Sequence, residues 1–271
     1  MLRAQSVIVN TPRIAATERN KMKRIMFFCF LVVGVLVVGE KNVCAHVRDY
    51  IFNQQYYTTR KGEFEIESYN DLNLKEMSKD KTYNSKHQVE LEYGVTNHLQ
   101  LAFYELFQWD QSHNWQQDAF KVETKYRFFE AGELPVDVAL YGEYANPNGP
   151  QKISSDEVEG KLILSRDCGP WNLVANLIAE RQINRHEDLQ WSYMAGASYL
   201  LNPKIRLGLE LRETLGDQGE FGIHRKDHQL QLLPGIYASL TPNIRILFGP
   251  AIGLTRAADD LQLKSIVEVE F

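Results

Sequence analysis

Histidine, cysteine and serine are the side chains of this sequence best suited to acid–base, metal or nucleophilic chemistry. The seven histidines are scattered, and His224 and His228 flank a loop–strand junction, so no pair has the helical spacing of a zinc site. Cys168 lies in an Asp-Cys-Gly-Pro turn, whereas Ser165 and Ser198 lie inside alternating segments. No Gly-x-Ser-x-Gly, P-loop or dinucleotide motif occurs. The sequence therefore predicts no catalytic residue, no metal site and no cofactor.

Charged residues that alternate with apolar ones are the more informative pattern. Between Phe120 and Phe128 every second residue is apolar or Thr, and the residues between them are Lys, Glu, Lys and Arg. One face of such a strand suits lipid, and the other suits an aqueous interior where charges pair. Twelve residues on the charged faces are therefore predicted to line a lumen: Glu90, Glu92, Lys121, Glu123, Lys125, Arg127, Glu143, Glu159, Lys161, Glu180, Glu210 and Arg212.

Residues 46–271 as a whole, and the charged strand faces taken alone, both carry a net negative charge. Residues 46–271 hold 23 Lys and Arg against 33 Asp and Glu, a net charge of −10, which excludes a basic nucleic-acid-binding surface. The charged strand faces alone carry fourteen acids and nine bases. If these faces line an open pore, that excess favours cations modestly.

The elements that position these residues are predicted to be β-strands, because apolar residues recur with period two and turn signals separate the segments. We expect twelve strands: 62–74, 84–94, 99–109, 118–129, 136–145, 156–167, 171–184, 189–201, 204–215, 227–240, 244–254 and 261–271. Tight turns alternate with longer polar connections between them. This is the pattern of an antiparallel up-and-down sheet.

Two architectures accept strands that are apolar on one face, a soluble sandwich and a transmembrane barrel. The predicted strands are 10–14 residues long, which suits a tilted membrane crossing better than a sandwich. Aromatic residues such as Trp109, Trp171 and Tyr199 lie near strand ends on the apolar face. An even strand number also leaves no unpaired edge in lipid. The fold class expected is therefore an all-β, twelve-stranded antiparallel transmembrane barrel, residues 62–271.

The N-terminal region is predicted to be a targeting segment. Lys21-Met22-Lys23-Arg24 precedes an apolar run from Ile25 to Val38, and Val43-Cys44-Ala45 ends in small residues, as in a secretory signal peptide. We place the signal peptide at residues 1–45, with Met22 as an alternative start, and an uncleaved anchor as the alternative function. Residues 46–61 either fold into the lumen as a small plug or stay in the periplasm.

The C-terminus carries a second targeting feature. Val267, Val269 and Phe271 alternate with two glutamates, and Phe271 is the last residue. This resembles the signal that outer-membrane barrels present to the barrel-assembly machinery, which we expect as a partner together with outer-membrane lipid. The expected location is the outer membrane of a Gram-negative envelope.

Several short motifs resemble one family of such barrels. They are the stretch 58–65 (Thr-Thr-Arg-Lys-Gly-Glu-Phe-Glu), the stretch 92–100 (Glu-Tyr-Gly-Val-Thr-Asn-His-Leu-Gln), and Leu134-Pro135 leading into Glu143. They are similar to the outer-membrane barrels associated with the meta-pathway of phenol degradation, over most of residues 56–271. The resemblance implies transport of a small hydrophobic or aromatic compound and no catalytic residues.

The function expected is thus a channel or transporter for a small solute that the sequence does not identify, and not an enzyme. Two alternatives stay open. An outer-membrane enzyme acting on lipid needs a histidine at the barrel rim within reach of a serine or an acid. A soluble periplasmic β-protein needs the apolar face to be turned inward.

Overall fold

The computed structural model describes residues 48–75, 82–109, 115–148, 155–183, 189–217 and 228–271. The expected signal peptide, residues 1–45 with its alternative start at Met22, lies outside these ranges. Within them, no helix is long and apolar enough to cross a membrane.

Twelve strands form the structure, and every strand end lies within three residues of its predicted position. They are β1 (Phe64–Lys75), β2 (Thr82–Gly94), β3 (Leu99–Trp109), β4 (Trp115–Arg127), β5 (Asp137–Pro147), β6 (Glu157–Cys168), β7 (Trp171–Gln182), β8 (Gln190–Asn202), β9 (Ile205–Asp217), β10 (Leu230–Thr241), β11 (Ile244–Gly253) and β12 (Leu261–Glu270).

The strands form a closed barrel in which each pairs antiparallel with its neighbours in sequence. Strand β1 closes the barrel against β12, from Glu65 opposite Glu270 to Leu74 opposite Leu261. Closure pairs the edges that an open sheet would leave free, as backbone in lipid requires. The predicted twelve-stranded antiparallel barrel is confirmed.

Side chains on the outer face are apolar over most of the wall. Leu162 and Leu209 are 36% and 50% exposed in the isolated chain, and Val122 lies on the same face of β4. Glu105 is the exception in β3. Gln117 of β4 donates a hydrogen bond to it beside a local register shift, so this outward carboxylate has a partner on the next strand.

The wall is less regular between β10 and β11. Their ladder pairs Leu232 with Ile252 and resumes at Ile236 with Phe248. The intervening residues, 233–235 and 249–251, do not pair with each other, although they pair with β9 and β12 on their other sides. Pro234 and Pro250 lie in these stretches and have no backbone N–H to donate. The prolines thus account for part of the interruption.

Candidate channel interior

The inner segment, residues 48–61, lies inside the barrel, and its residues 49–56 are buried without a break. Ile51 and Phe52 pack into one apolar cluster with inward residues of the wall, and Tyr50 and Tyr56 pack into another. The wall residues of these clusters are Tyr141, Ile163, Val174, Ile178, Met194, Leu233, Tyr237, Leu247 and Ile266, with small alanines between them. Part of the interior is therefore a packed core.

Glu210 on β9 holds the middle of the inner segment. Its carboxylate accepts hydrogen bonds from the backbone N–H groups of Ile51 (2.7 Å), Phe52 (2.7 Å) and Asn53 (2.9 Å). The Asn53 amide and the Tyr237 hydroxyl add two more, at 3.0 and 2.9 Å. Consecutive backbone N–H groups form a concave site for an anion, so this buried carboxylate is compensated by hydrogen bonds instead of by a base.

Strands β7 and β8 hold the same segment from another side. Asn176 accepts from the Gln54 N–H at 2.7 Å and donates its amide to the Gln54 carbonyl at 2.9 Å. The Tyr50 hydroxyl donates to Asn172, and its ring lies over Gly196. A Cβ at position 196 would lie 2.6 Å from that ring, so glycine is required for this close approach.

Asp49 carries the charge contacts of the segment. Its carboxylate lies 3.3 Å from the guanidinium nitrogens of both Arg245 and Arg206. Burial raises the pKa of Asp49 from its ordinary value, and the two guanidinium groups partly oppose that rise. The ion pairs join the inner segment to β11 and β9.

The end of the inner segment is held at the first tight turn. Thr59 donates its N–H to the Gln100 side chain at 2.8 Å and its hydroxyl to Glu92 at 2.8 Å. Gly94 ends β2 where a Cβ would lie 1.8 Å from the Arg60 carbonyl oxygen. Only glycine allows the segment to pass so close before it enters β1.

The acidic patch is a cluster of buried inward carboxylates on three adjacent strands, β12, β1 and β2: Glu65, Glu67, Glu90, Glu92, Glu268 and Glu270. In the register, Glu67 lies between Glu268 and Glu90, and all three are at most 1% exposed. Arg48 of the inner segment reaches Glu67 at 2.7 Å. Two sets of three glutamates in this patch each bring their carboxylate oxygens within 4.8 Å of one another, close enough to hold a metal ion. Among the described residues, the sets are Glu65, Glu67 and Glu268; and Glu67, Glu90 and Glu92.

The twelve residues predicted to line the lumen all lie on the inward strand faces. Lys121 pairs with Glu143 across β4 and β5 at 2.6 Å, and Lys161 pairs with Glu159 on its own strand at 2.8 Å. The structure therefore brings four of the twelve together as two ion pairs.

The other eight differ in surroundings. Five are buried, namely Glu90, Glu92, Glu123, Lys125 and Glu210. Arg127 pairs with Glu130 of the adjoining turn at 2.8 Å, whereas Glu180 is half-buried and Arg212 is exposed to a cavity.

Sequence reasoning identified Glu210 and Glu92 as inward residues but missed several others that receive the inner segment. The lumen prediction relied on charged residues, and Asn172, Asn176 and Gly196 are uncharged. Tyr237 lies in a strand that is apolar on both faces. That two-sided apolar character of β7 and β10 was the available sign that these strands pack against something inside.

Two large cavities adjoin the inner segment, which contributes residues to both. The turn-side cavity, about 620 Å³, lies at the end with the tight turns and is bounded by Asp49, Tyr57 and Arg60 among others. The loop-side cavity, about 240 Å³, is bounded by Ile51, Phe52 and residues toward the opposite strand ends. The segment thus lies between two cavities.

A histidine–acid pair lies on the outer face near the loop end of β9. His228 Nε2 lies 2.8 Å from Glu213 Oε1, and Tyr193 donates its hydroxyl to the same carboxylate. Both His228 and Glu213 are 8% exposed. Among the described residues no serine or cysteine hydrogen-bonds to this histidine.

Comparison with known proteins finds no matching family model and no matching curated protein. Solved structures are similar in fold. The COG4313 outer membrane channel from Pseudomonas putida F1 aligns with a TM-score of 0.61 at 12% identity, over 82% of this chain and 100% of that chain. The KdgM porin in complex with disordered oligogalacturonate gives 0.52 at 10% identity, over 76% and 98%. The NanC porin gives 0.51 at 10%, over 77% and 98%.

Proposed function

We propose that this chain is an outer-membrane channel or transporter for a small solute, in which residues 46–61 act as a plug. The observation that carries the proposal is a closed barrel with an apolar outer face and cavities on both sides of the inner segment. Solved structures of an outer-membrane channel and of two porins share this fold, which supports the same use here.

The finer parts of the proposal come from the sequence. The motifs shared with barrels of the phenol meta-pathway favour a hydrophobic or aromatic solute. Residues 1–45 would direct secretion, and Phe271 would be read by the barrel-assembly machinery before the strands meet outer-membrane lipid. The charged inner faces, together with the cavities, would form the path.

Solute flux across liposomes tests the channel directly. The full-length mature protein and a variant lacking residues 46–57 are reconstituted, and swelling is followed with small neutral solutes. The deletion removes the part of the segment that Glu210 and Asn176 hold between the two cavities. The cavities should then join, so we expect faster swelling for the deletion variant. Fast electrophoretic migration of unboiled samples verifies that each barrel is closed. Equal, background swelling for both proteins would contradict the channel.

A second candidate function is lipid hydrolysis, favoured by the His228–Glu213 pair at the outer rim. A general base held by a carboxylate is half of a hydrolytic site, but the nucleophile is not among the described partners. Release of fatty acid from phospholipid micelles, compared between the wild type and His228→Ala, separates the two functions. We expect no His228-dependent release.

A further inference from the structure

Many of the acidic side chains that point into the barrel do not reach either of the two cavities. The carboxylates of the acidic patch are nearly fully buried, and none of them bounds the turn-side or loop-side cavity. A solute in either cavity therefore meets a different set of charges from the one that a count over the inner faces suggests.

Bases outnumber acids around both cavities, counted over the residues that the structure describes. The loop-side cavity has six bases and four acids: Arg48, Lys86, Lys121, Lys161, Arg212 and Lys264; and Asp71, Asp118, Glu143 and Glu159. The turn-side cavity has five bases and three acids: Arg60, Arg127, Lys204, Arg206 and Arg245; and Asp49, Glu130 and Asp167. Each space thus carries an excess of two positive charges.

Most bases of the loop-side cavity have a carboxylate beside them. Its four lysines each pair with one of its four acids, as in Lys121–Glu143 and Lys264–Asp71, and Arg48 is held by Glu67. Arg212 differs, because no carboxylate among the described side chains lies within 4.0 Å of it. Its guanidinium is therefore available to an anion that enters the cavity.

The surface next to Arg212 is aromatic. The Arg212 guanidinium carbon lies 6.0 Å from the centre of the Phe52 ring, and the Lys264 ammonium lies 5.5 Å from the same centre. Phe52 is fixed by its N–H bond to Glu210, and Ile51 and Met194 extend the apolar surface. A planar guanidinium binds a carboxylate through two parallel hydrogen bonds, while the ring accepts an apolar body.

From this arrangement we propose that the loop-side cavity binds a small organic anion, with its carboxylate on Arg212 and its apolar or aromatic body on Phe52. The proposal rests on the channel function and names the chemical class of its solute. Lys264 lies on the same ring but is paired with Asp71, so Arg212 supplies the charge of the site. Binding weakens as salt screens this charge.

Equilibrium binding to the full-length mature protein in detergent tests the site without requiring flux. Benzoate, benzyl alcohol and benzylamine present the same ring with a negative, neutral and positive group. We expect benzoate to bind best. Arg212→Gln should weaken benzoate ~10-fold or more, because a charge-assisted bidentate contact is lost, whereas Arg212→Lys should weaken it less.

Arg256→Gln is the matched control, since Arg256 is exposed and bounds neither cavity. It should leave benzoate binding unchanged. Equal binding of the three probes, or unchanged benzoate binding in Arg212→Gln, would overturn the anion site. Swelling of liposomes by neutral solutes is measured in parallel. Flux without benzoate binding rejects this inference alone, and benzoate binding without flux rejects the channel alone.

Discussion

At the scale of single residues, Glu210 does most to order the inner segment. It lies on the inward face of β9, is 0% exposed, and accepts from three consecutive backbone N–H groups and two side chains. A buried carboxylate without such donors would cost several kcal/mol. The same contacts satisfy N–H groups of a segment that has no strand or helix to pair them.

Glu210→Gln should loosen the inner segment. The amide keeps one acceptor oxygen but loses the charge, and its NH₂ group faces donors, so we expect a loss of about 1–3 kcal/mol in the free energy that holds the segment. Limited proteolysis within residues 48–61 measures this. Glu213→Gln, the same change on the outer face of the same strand, serves as the control. Equal cleavage of both variants would show that Glu210 does not anchor the segment.

At the scale of strands, the outward apolar face is the feature that membrane insertion depends on. Leu162, Leu209 and Val122 lie on this face near the centres of their strands. A residue there meets hydrocarbon, whereas one near a strand end meets the headgroup region.

Arginine at any of these three positions should cost about 2–4 kcal/mol of folding free energy if the residue lies at the bilayer midplane. Leu201→Arg near the turn end of β8 is the matched control, with an expected cost of about 0–1 kcal/mol. Urea titration of folding into vesicles gives the values. The assignment of outer and inner faces would be wrong if central and terminal positions responded alike.

The last strand makes a separate prediction. Phe271 is exposed, and its N–H donates to the Phe64 carbonyl at 2.9 Å, where β12 meets β1. Deleting Phe271 should slow insertion into the outer membrane and leave export to the periplasm intact, because both the terminal aromatic and a closing hydrogen bond are lost. Phe271→Trp keeps the aromatic and should insert normally. Cell fractionation measures both, and normal membrane levels of the truncated protein would argue against an assembly signal.

At the scale of the whole molecule, closure of the barrel distinguishes a membrane barrel from a soluble β-protein. All twelve strands pair on both sides, so unfolding has no free edge at which to begin. Unboiled protein should therefore migrate faster than boiled protein on detergent gels, and carbonate should not extract it from membranes. Extraction by carbonate together with equal migration would indicate a soluble protein.

The sequence by itself determined the strands, their number and their faces. Alternation is local, since a lysine at 121 and a valine at 122 must point to opposite sides of any strand. The turns between segments then restrict the order of pairing, so twelve antiparallel strands and the inward position of the twelve charged residues could be read directly.

Only the tertiary structure decided what occupies the interior. Residues 48–61 have no period of their own, and their place depends on contacts with residues more than a hundred positions away, such as Asn176 and Glu210. The sum of charges over the inner faces likewise includes acids that the structure buries, such as Glu67 and Glu90, so the cation preference drawn from that sum stays a prediction. A charge acts on a solute only where solvent reaches it, and that is set by packing between distant parts of the chain.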